Sequence, residues 1–359
     1  MKTKFLLCLL ISLTCVDSLF AQVNVSKTGT TAATFLEIGI GANANGMGAA
    51  YVTRAADATS IYWNPAGIAH LENDDAVVVH ANWIASTNLD WAGLVLPLGE
   101  FGNIGFSFTD LSIPDDKVRT VDQPEGTGEY FSAGDLALGV SYARNLTDRF
   151  SIGFTGKYIQ ESIWHMSSSA FAFDIGTLFR TDLFGGMIIG ASISNFGTPM
   201  KLSGIDTRTF AQVDPSVYGS NDQIPYSIDL DSWGLPLLFR IGVSTNAIKT
   251  DDYRWTIALD ALHPNDDYET LNIGTEFAFK EFLFLRAGFQ SLYLVDPNTG
   301  TADKSFFQQP LYTGQGGFSL GIGVNSKMLF STDMVEFDYA YRNFGILDGV
   351  QYFSVGIQF

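Results

Sequence analysis

The sequence predicts an all-β protein, an antiparallel transmembrane β-barrel of about fourteen strands with a small N-terminal helical plug. Three observations predict this fold: the composition, a two-residue alternation of side chains, and the order of long and short loops. Charged residues make up 16% of the chain and aromatic residues 14%, with 29 Phe and 36 Gly. Because soluble domains carry about 25% charged residues, this composition favours a membrane barrel.

The strands are predicted from an alternation that runs from about residue 75 onward. The segments "DLALGVSYARNL" (135–146), "AFAFDIGTLFR" (170–180) and "MVEFDYAYR" (334–342) place large apolar side chains on one face. Their other face carries mostly Gly, Ala, Ser and acidic residues. A lipid-covered wall around a filled lumen requires this pattern, whereas a soluble sandwich would expose Lys, Glu and Thr on its outer face.

The order of the loops gives the orientation of the barrel. We expect strands to begin near residues 75, 89, 102, 133, 149, 168, 185, 234, 253, 269, 281, 316, 334 and 350. Tight turns alternate with longer loops, and every long loop, at about 112–132, 197–233 and 292–315, falls in the same set. Outer-membrane barrels keep short turns in the periplasm and long loops outside. The sequence therefore predicts the outer membrane of a Gram-negative bacterium, with membrane lipid around the wall.

The N-terminus is typical of an export signal. Lys2 and Lys4 precede an apolar run from Phe5 to about Val16, followed by a plausible cleavage site before Gln22. We assign residues 1–21 to this signal peptide, 22–72 to an N-terminal plug and 73–359 to the barrel.

Several function classes are excluded by residue content. Both cysteines, Cys8 and Cys15, lie in the signal, so the mature chain would have no disulfide, thiolate nucleophile or cysteine metal site. The four histidines are scattered, and only His165 is a candidate for a surface hydrolase. A net charge of −18 repels phosphates, so we expect no nucleic acid partner. We predict no enzyme activity, no cofactor and no metal.

The segment "GIGANANGMGAAYVTRAADATSIYWNPAG" (39–67) contains the spacing G-x-G-x-x-G/A at Gly39, Gly41 and Ala44, which binds dinucleotides in βαβ units. No βαβ pattern follows, and the chain is exported, so we predict a different role. A short helix over 46–54 would pack its small face against the barrel wall and end at Asp57. A turn at 64–67 would then enter the first strand.

Part of this segment, "GMGAAYVTRAADATSIYWNPAGIA" (46–69), resembles the N-terminal motif of PorV/PorQ-family outer-membrane proteins, a branch of the FadL-like fourteen-stranded barrels. The Asn-Pro-Ala of the motif is present at 64–66. Members of the PorV kind work in type IX secretion, where they receive cargo from the translocon and deliver it to the attachment machinery. The resemblance implies a non-enzymatic carrier or accessory that docks exported cargo or a translocon subunit. FadL members instead take up small hydrophobic molecules through a lateral opening, and such a transporter is the alternative.

Plug closure and gating are predicted for the motif residues Gly46, Met47, Gly48, Tyr51, Arg54, Asn64, Pro65, Ala66 and Gly67. Asn64 is the leading candidate, because its amide can hydrogen-bond plug backbone to wall. The alternative is a turn that merely starts the first strand. Phe359 ends the final strand in phase with its apolar face, and we expect the barrel-assembly machinery to read it as an insertion signal.

Charged and aromatic residues elsewhere leave further alternatives open. Lumen-facing acids would pair with Lys157, Arg342 or Arg54, or line a cation path; they are Asp174, Asp260, Glu276, Glu336 and Asp338. The acidic loops "SIDLDSW" (227–233) and "HPNDDYE" (263–269) would be solvated or would hold Ca²⁺. Interface girdle positions are expected for Trp83, Trp91, Trp164, Trp233 and Trp255.

Overall fold

The structure is a computed structural model that describes residues 27–54, 57–212, 216, 219, 221–293, 312–313, 317–326 and 334–359. The predicted signal peptide at 1–21 and most of the predicted loop at 292–315 lie outside these residues. Fourteen described strands form the wall. They are β1 (Asp75–Asn82), β2 (Asn88–Pro97), β3 (Asn103–Lys117), β4 (Tyr130–Thr147), β5 (Phe150–Ile163), β6 (Met166–Arg180), β7 (Ile188–Gly197), β8 (Leu238–Lys249), β9 (Tyr253–Pro264), β10 (Thr270–Phe279), β11 (Leu283–Tyr293), β12 (Phe318–Asn325), β13 (Met334–Asn343) and β14 (Gly349–Gln358).

The wall closes on itself. Each strand pairs antiparallel with its neighbours in the chain, and β1 pairs with β14 from Asp75↔Gln358 to Asn82↔Gln351. Closure removes the free edges that an open sheet would present in lipid. The predicted fourteen-stranded barrel is therefore confirmed.

The predicted strand starts differ from the structure by at most four residues. The largest difference is at β8, which begins at Leu238 rather than near residue 234. Pro236 precedes it and has no backbone N–H to donate to a ladder. The β3–β4 hairpin is longer than expected, which reduces the predicted loop 112–132 to residues 118–129. A bulge between Ile113 and Asp116 accommodates Pro114 inside β3.

Long loops gather at one end of the barrel, which we call the outer end. It holds residues 118–129, the described residues of 198–237, the end of β11 and the start of β12, whereas β1 begins and β14 ends at the opposite end. Three short strands lie in the second loop, at Ser203–Gly204, Arg208–Ala211 and Ile224–Ser227, and Tyr312–Thr313 pairs with β11. Short 3₁₀ turns lie at Ile84–Ser86, Gly99–Phe101, Leu183–Gly185, Ile205–Thr207 and Gly345–Leu347.

The two faces of the wall follow the predicted alternation. In β6, Phe171 and Phe173 are exposed on the outside, whereas Asp174 is buried inside. An outer belt of Phe, Leu, Ile and Val is what lipid requires. Within the described residues, no helix is long and apolar enough to cross a membrane.

The girdle prediction is wrong for two tryptophans. Trp91 is only 3% exposed, because the phase of β2 turns it into the lumen, where it packs in the cluster that contains Phe35 and Leu36 of the plug. Trp83 packs edge-on against Phe344. The other three, Trp164, Trp233 and Trp255, are exposed.

The N-terminal segment lies inside the lumen, and we call its described residues 27–54 and 57–72 the plug. Its elements are a 3₁₀ turn at Thr34–Glu37, helix α1 (Ala42–Gly46), helix α2 (Ser60–Trp63) and a 3₁₀ helix at Pro65–His70. The predicted helix over 46–54 is wrong. Helix α1 ends at Gly46, because Gly48 and Ala49 have φ of 63° and 56°.

Asp57 does not end a helix as expected; it precedes α2. Its carboxylate accepts the backbone N–H of Thr59 at 2.8 Å, and its carbonyl accepts that of Ser60 at 3.1 Å. An acidic side chain bonded in this way stabilises the start of a helix.

Wall strands pass the plug at glycines that admit its backbone. A Cβ on Gly190 would lie 2.7 Å from the carbonyl oxygen of Val52, and one on Gly274 would overlap that of Met47. In the plug, a Cβ on Gly48 would lie 2.6 Å from the backbone nitrogen of Phe289. Side chains larger than hydrogen are therefore excluded at these three glycines.

We predict that Gly274→Ala lowers the free energy of unfolding by about 1–3 kcal/mol, because its methyl group overpacks the contact with Met47. Thermal unfolding of the purified barrel in detergent measures this. Gly156→Ala is the control, since its Cβ would meet only the Phe173 ring at 3.7 Å on the outer face. Equal melting temperatures for the two variants would contradict the close seating.

Candidate functional site

Asn64 holds the plug to the wall. Its side chain is fully buried, and Nδ2 donates to the carbonyl oxygens of Val52 at 2.8 Å and of Thr177 in β6 at 3.0 Å. Its Oδ1 accepts the backbone N–H of Ala66 at 3.1 Å. A Cβ on Gly176 would overlap that oxygen. The hydrogen bond from Asn64 to the wall that we predicted from its residue type is present.

The remaining motif residues lie either beside the contact between Asn64 and β6 or against the wall strands β10 to β12. Pro65 begins the 3₁₀ helix that Asn64 caps, and Ala66 and Gly67 are buried in it. Gly46 faces Gly321 of β12, where an added Cβ would lie 3.0 Å from its Cα. Met47 is fully buried beside β10. Phe359 lies apart from this group, where β14 meets β1, and its N–H donates to the backbone carbonyl oxygen of Asp74 at 3.1 Å.

A cluster of ion pairs joins the plug to the wall at Arg54. Its Nη2 lies 2.9 Å from Oε1 of Glu276, which also meets Arg254 at 2.8 Å. The second oxygen of Glu276 accepts from Arg286 at 2.7 Å. Arg286 also forms ion pairs with Asp338 and, at 3.3 Å, with Glu336.

The expected pairing of lumen acids is confirmed for Glu276 with Arg54 and for Asp174 with Lys157, whose charged atoms are 2.8 Å apart. Arg342 lies over the Phe344 ring at 4.1 Å, away from the cluster. The sequence analysis missed Arg254 and Arg286. Arg286 could have been found, because it alternates with outward Leu285 and Ala287 in β11.

Asp260 has a different partner from the one we expected. Its Oδ2 accepts the backbone N–H groups of Tyr51 at 2.7 Å and Val52 at 2.9 Å. These amides lie in the irregular stretch after α1, where no helix provides partners for them. The carboxylate therefore replaces the missing backbone hydrogen bonds of the plug.

Wall hydroxyls satisfy further plug backbone groups. Ser354 accepts from Ala42 N–H at 2.7 Å, and Ser192 donates to the carbonyl of Trp63 at 3.1 Å. Ser319 accepts from Gly48 N–H at 3.0 Å. Small polar residues on the inner face thus supply hydrogen-bond partners for the irregular backbone of the plug.

His70 lies at the end of the plug nearest the short turns. Burial, followed by the charge of Arg180, lowers the pKa of His70 to about 4, so the imidazole is neutral at pH 7. Its Nε2 lies 3.0 Å from Ser151 Oγ. This pairing packs the plug against β5.

The described residues contain no group of three or more His, Cys, Asp or Glu that could hold a metal ion. Asp229 of the first acidic loop pairs with Lys201, and Asp266 of the second accepts a hydrogen bond from Thr31 at 2.7 Å. His165 stacks on Trp164 and meets Asp206 at 3.1 Å.

We predict that Glu276→Ala lowers the free energy of unfolding by about 3–5 kcal/mol, because it leaves buried arginines without their carboxylate. Urea unfolding in detergent measures the loss. Glu281→Ala is the matched control. It removes a half-exposed carboxylate 2.7 Å from Arg254, so it should cost less than about 1 kcal/mol. Equal losses would contradict a structural role for the cluster.

Comparison with known proteins identifies the fold and the family. The chain is similar to the CymD monoaromatic hydrocarbon channel, with a TM-score of 0.53, 12% identity and coverage of 89% of this chain and 97% of that chain. It is also similar to the Pseudomonas putida toluene transporter TodX, with a TM-score of 0.53, 11% identity and the same coverage, 89% and 97%. At these identities the likeness shows the barrel fold alone. A search of curated proteins finds no match.

A family model described as "Type IX secretion system protein PorV" matches residues 21–224. The match spans more than half of the chain, from before the plug to beyond β7, and therefore includes the Asn64 contact and Arg54. The chain belongs to the PorV family of type IX secretion system proteins.

Proposed function

We propose that this barrel is a non-enzymatic carrier or accessory of type IX secretion that docks exported cargo or a translocon subunit at its outer end. The family and the fold are those of secretion or transport barrels, which implies the outer membrane of Gram-negative bacteria and contact with its lipid. The proposal includes the export signal at 1–21, the plug at 22–72 and the barrel at 73–359. It also assigns Phe359 as the signal for the barrel-assembly machinery.

The observation that carries this proposal is an exposed apolar surface on the loop between β7 and β8. Strands Arg208–Ala211 and Ile224–Ser227 form a hairpin there, which we call the docking hairpin. Ile224 and Tyr226 are 37% and 46% exposed on one face of it, and Ile228 beyond them is also exposed. Phe210 is 61% exposed on the other face. Apolar side chains exposed together on a loop mark interaction surfaces, because burying them against a partner is favourable.

Lateral uptake would need an opening in the wall, and an irregular wall position between β6 and β7 is filled. The β6–β7 register shifts between Phe173 and Ile175, and Asn195 has φ of 66°. Its N–H donates to Asp174 at 2.8 Å and its amide to Pro236 at 2.9 Å. This bulge is closed by hydrogen bonds, which favours secretion over transport of small hydrophobic molecules.

A test of docking compares the double variant Phe210→Ser, Tyr226→Ser with the wild type. Tagged barrel is cross-linked in native outer membranes, purified and analysed by mass spectrometry. We expect recovery of type IX translocon subunits or sorted cargo to fall roughly tenfold or more, because buried aromatic anchors contribute about 2 kcal/mol or more each.

The control for that test is Phe101→Ser, which removes an exposed aromatic side chain from a turn at the opposite end. It should leave recovery unchanged. Equal recovery with the docking-hairpin variant, or purification of small hydrophobic molecules alone, would contradict the proposal.

We further propose that the plug motif closes the lumen through Asn64. Asn64→Ala removes both donated hydrogen bonds, so cells producing it should become more sensitive to large antibiotics. Asn343→Ala is the control, because it removes an amide that accepts a hydrogen bond only in the outer turn, from Gly345 N–H at 2.6 Å. Unchanged sensitivity at equal expression would mean that 64–67 is only a turn into the first strand.

A further inference from the structure

A polar cavity of about 190 Å³ lies at the outer end, between the plug and strands β8 to β11. Glu37 and Trp63 line it from the plug, Arg240 and Gln290 from the wall, and Asp266 from the β9–β10 turn. It lies apart from the ion cluster around Glu276 and from the docking hairpin. Of these five side chains, only that of Trp63 lies within the motif segment 46–69.

The cavity contains buried polar atoms that lack partners among the described residues. Asp266 is 6% exposed. Its Oδ2 accepts from Thr31, but its Oδ1 has no hydrogen-bond partner, nor has Oε1 of Gln290. Such atoms cost about 1–3 kcal/mol each when they remain unsatisfied. Two acceptors on the lining of one cavity therefore indicate a ligand that donates hydrogen bonds.

The charges around the cavity favour a cation. Glu37 and Asp266 line it together with Asp267, against one cation, Arg240. That guanidinium is already held by the rings of Tyr62 and Trp63, at 5.3 and 5.4 Å from their centroids. Burial, followed by the charge of Asp266, raises the pKa of Glu37 to about 7. Three carboxylates thus share one lining cation, Arg240, whose charge lowers the pKa of Glu37 less than burial raises it.

The volume of the cavity and the number of its hydrogen-bond acceptors restrict the class of ligand further. Pockets for drug-sized molecules enclose about 300–1,000 Å³, so this cavity suits a single side chain or a small amine. An ammonium group has three donors and no acceptor. Three donors match the carboxylate of Glu37, the free oxygen of Asp266 and the amide oxygen of Gln290.

We propose that this cavity binds a primary ammonium group, carried by a lysine side chain of a docking polypeptide or by a free alkylamine. The site goes beyond the secretion role proposed above, because it does not depend on the identity of the molecule that carries the amine. Lysine insertion would fix the register of a bound segment at the mouth of the barrel.

Calorimetric titration of the full-length barrel in detergent tests the proposal with three probes. These are n-butylammonium chloride, a peptide with blocked termini and one lysine, and the same peptide with norleucine in its place. We expect saturable binding of the first two and none of the norleucine peptide. A peptide that binds tighter than the amine identifies a polypeptide source, and equal affinities identify free amines.

Asp266→Asn provides the matched variant, because its amide oxygen still accepts from Thr31 while the charge is lost. Its affinity for the ammonium probes should fall about tenfold, as for a lost hydrogen bond to a charged group. Glu269→Gln removes a charge from the same turn but lies outside the cavity lining, so its affinity should not change. If the melting temperature of the Asp266→Asn variant differs from that of the wild type, the Glu37→Gln variant is titrated in its place.

Absence of saturable ammonium binding to the wild type would overturn the proposal. Equal binding of the norleucine peptide, or wild-type affinity in a folded Asp266→Asn variant, would also overturn it. The recovery of secretion partners by the docking-hairpin variants is unaffected by these outcomes, so failure of this site is distinguishable from failure of the secretion role.

Discussion

The ion cluster in the lumen is the interaction on which the seating of the plug depends. It joins Arg54 of the plug to four wall strands through Arg254, Glu276, Arg286 and the carboxylates of β13. Three arginines face three carboxylates in this group. Burial of ions is tolerated only when each has partners of good geometry. The plug and these wall strands therefore depend on each other for the pairing of their buried charges.

The position of the plug accounts for the small and polar residues on the inner face of the wall. Once Arg54 is fixed, the irregular backbone after α1 runs close along β10 and β11. Asp260 and wall serines then accept its N–H groups, and wall glycines leave space for its carbonyls. Small residues on the inner face are thus required by the contents of the lumen, as large apolar residues on the outer face are required by lipid.

The strands could be predicted from the sequence because lipid imposes a two-residue period that each strand shows by itself. Which plug and wall side chains pair with each other inside the lumen could not be predicted in the same way. Arg54 and Glu276 are 222 positions apart, and their meeting depends on how strands are staggered around the closed wall. The helix expected over 46–54 failed because the wall, not local propensity, sets that backbone. Trp91 was misplaced because an apolar plug allows a large aromatic residue to face inward.

A lumen occupied by the plug and an exposed outer end favour the secretion role that we propose over uptake. Fourteen strands enclose a lumen wide enough to conduct ions when empty, and hydrogen bonds, ion pairs and glycine contacts hold the plug across it. We propose partner recognition at the outer end, where apolar side chains of the docking hairpin are exposed. The amine site lies at the same end, between plug and wall.

Electrical recording in planar lipid bilayers tests the central claim most directly, namely that the plug is fixed in the lumen by buried contacts with the wall. The purified wild-type barrel should insert without steady conductance steps, because ions find the lumen filled. Stable open-channel steps from the wild type would contradict the account.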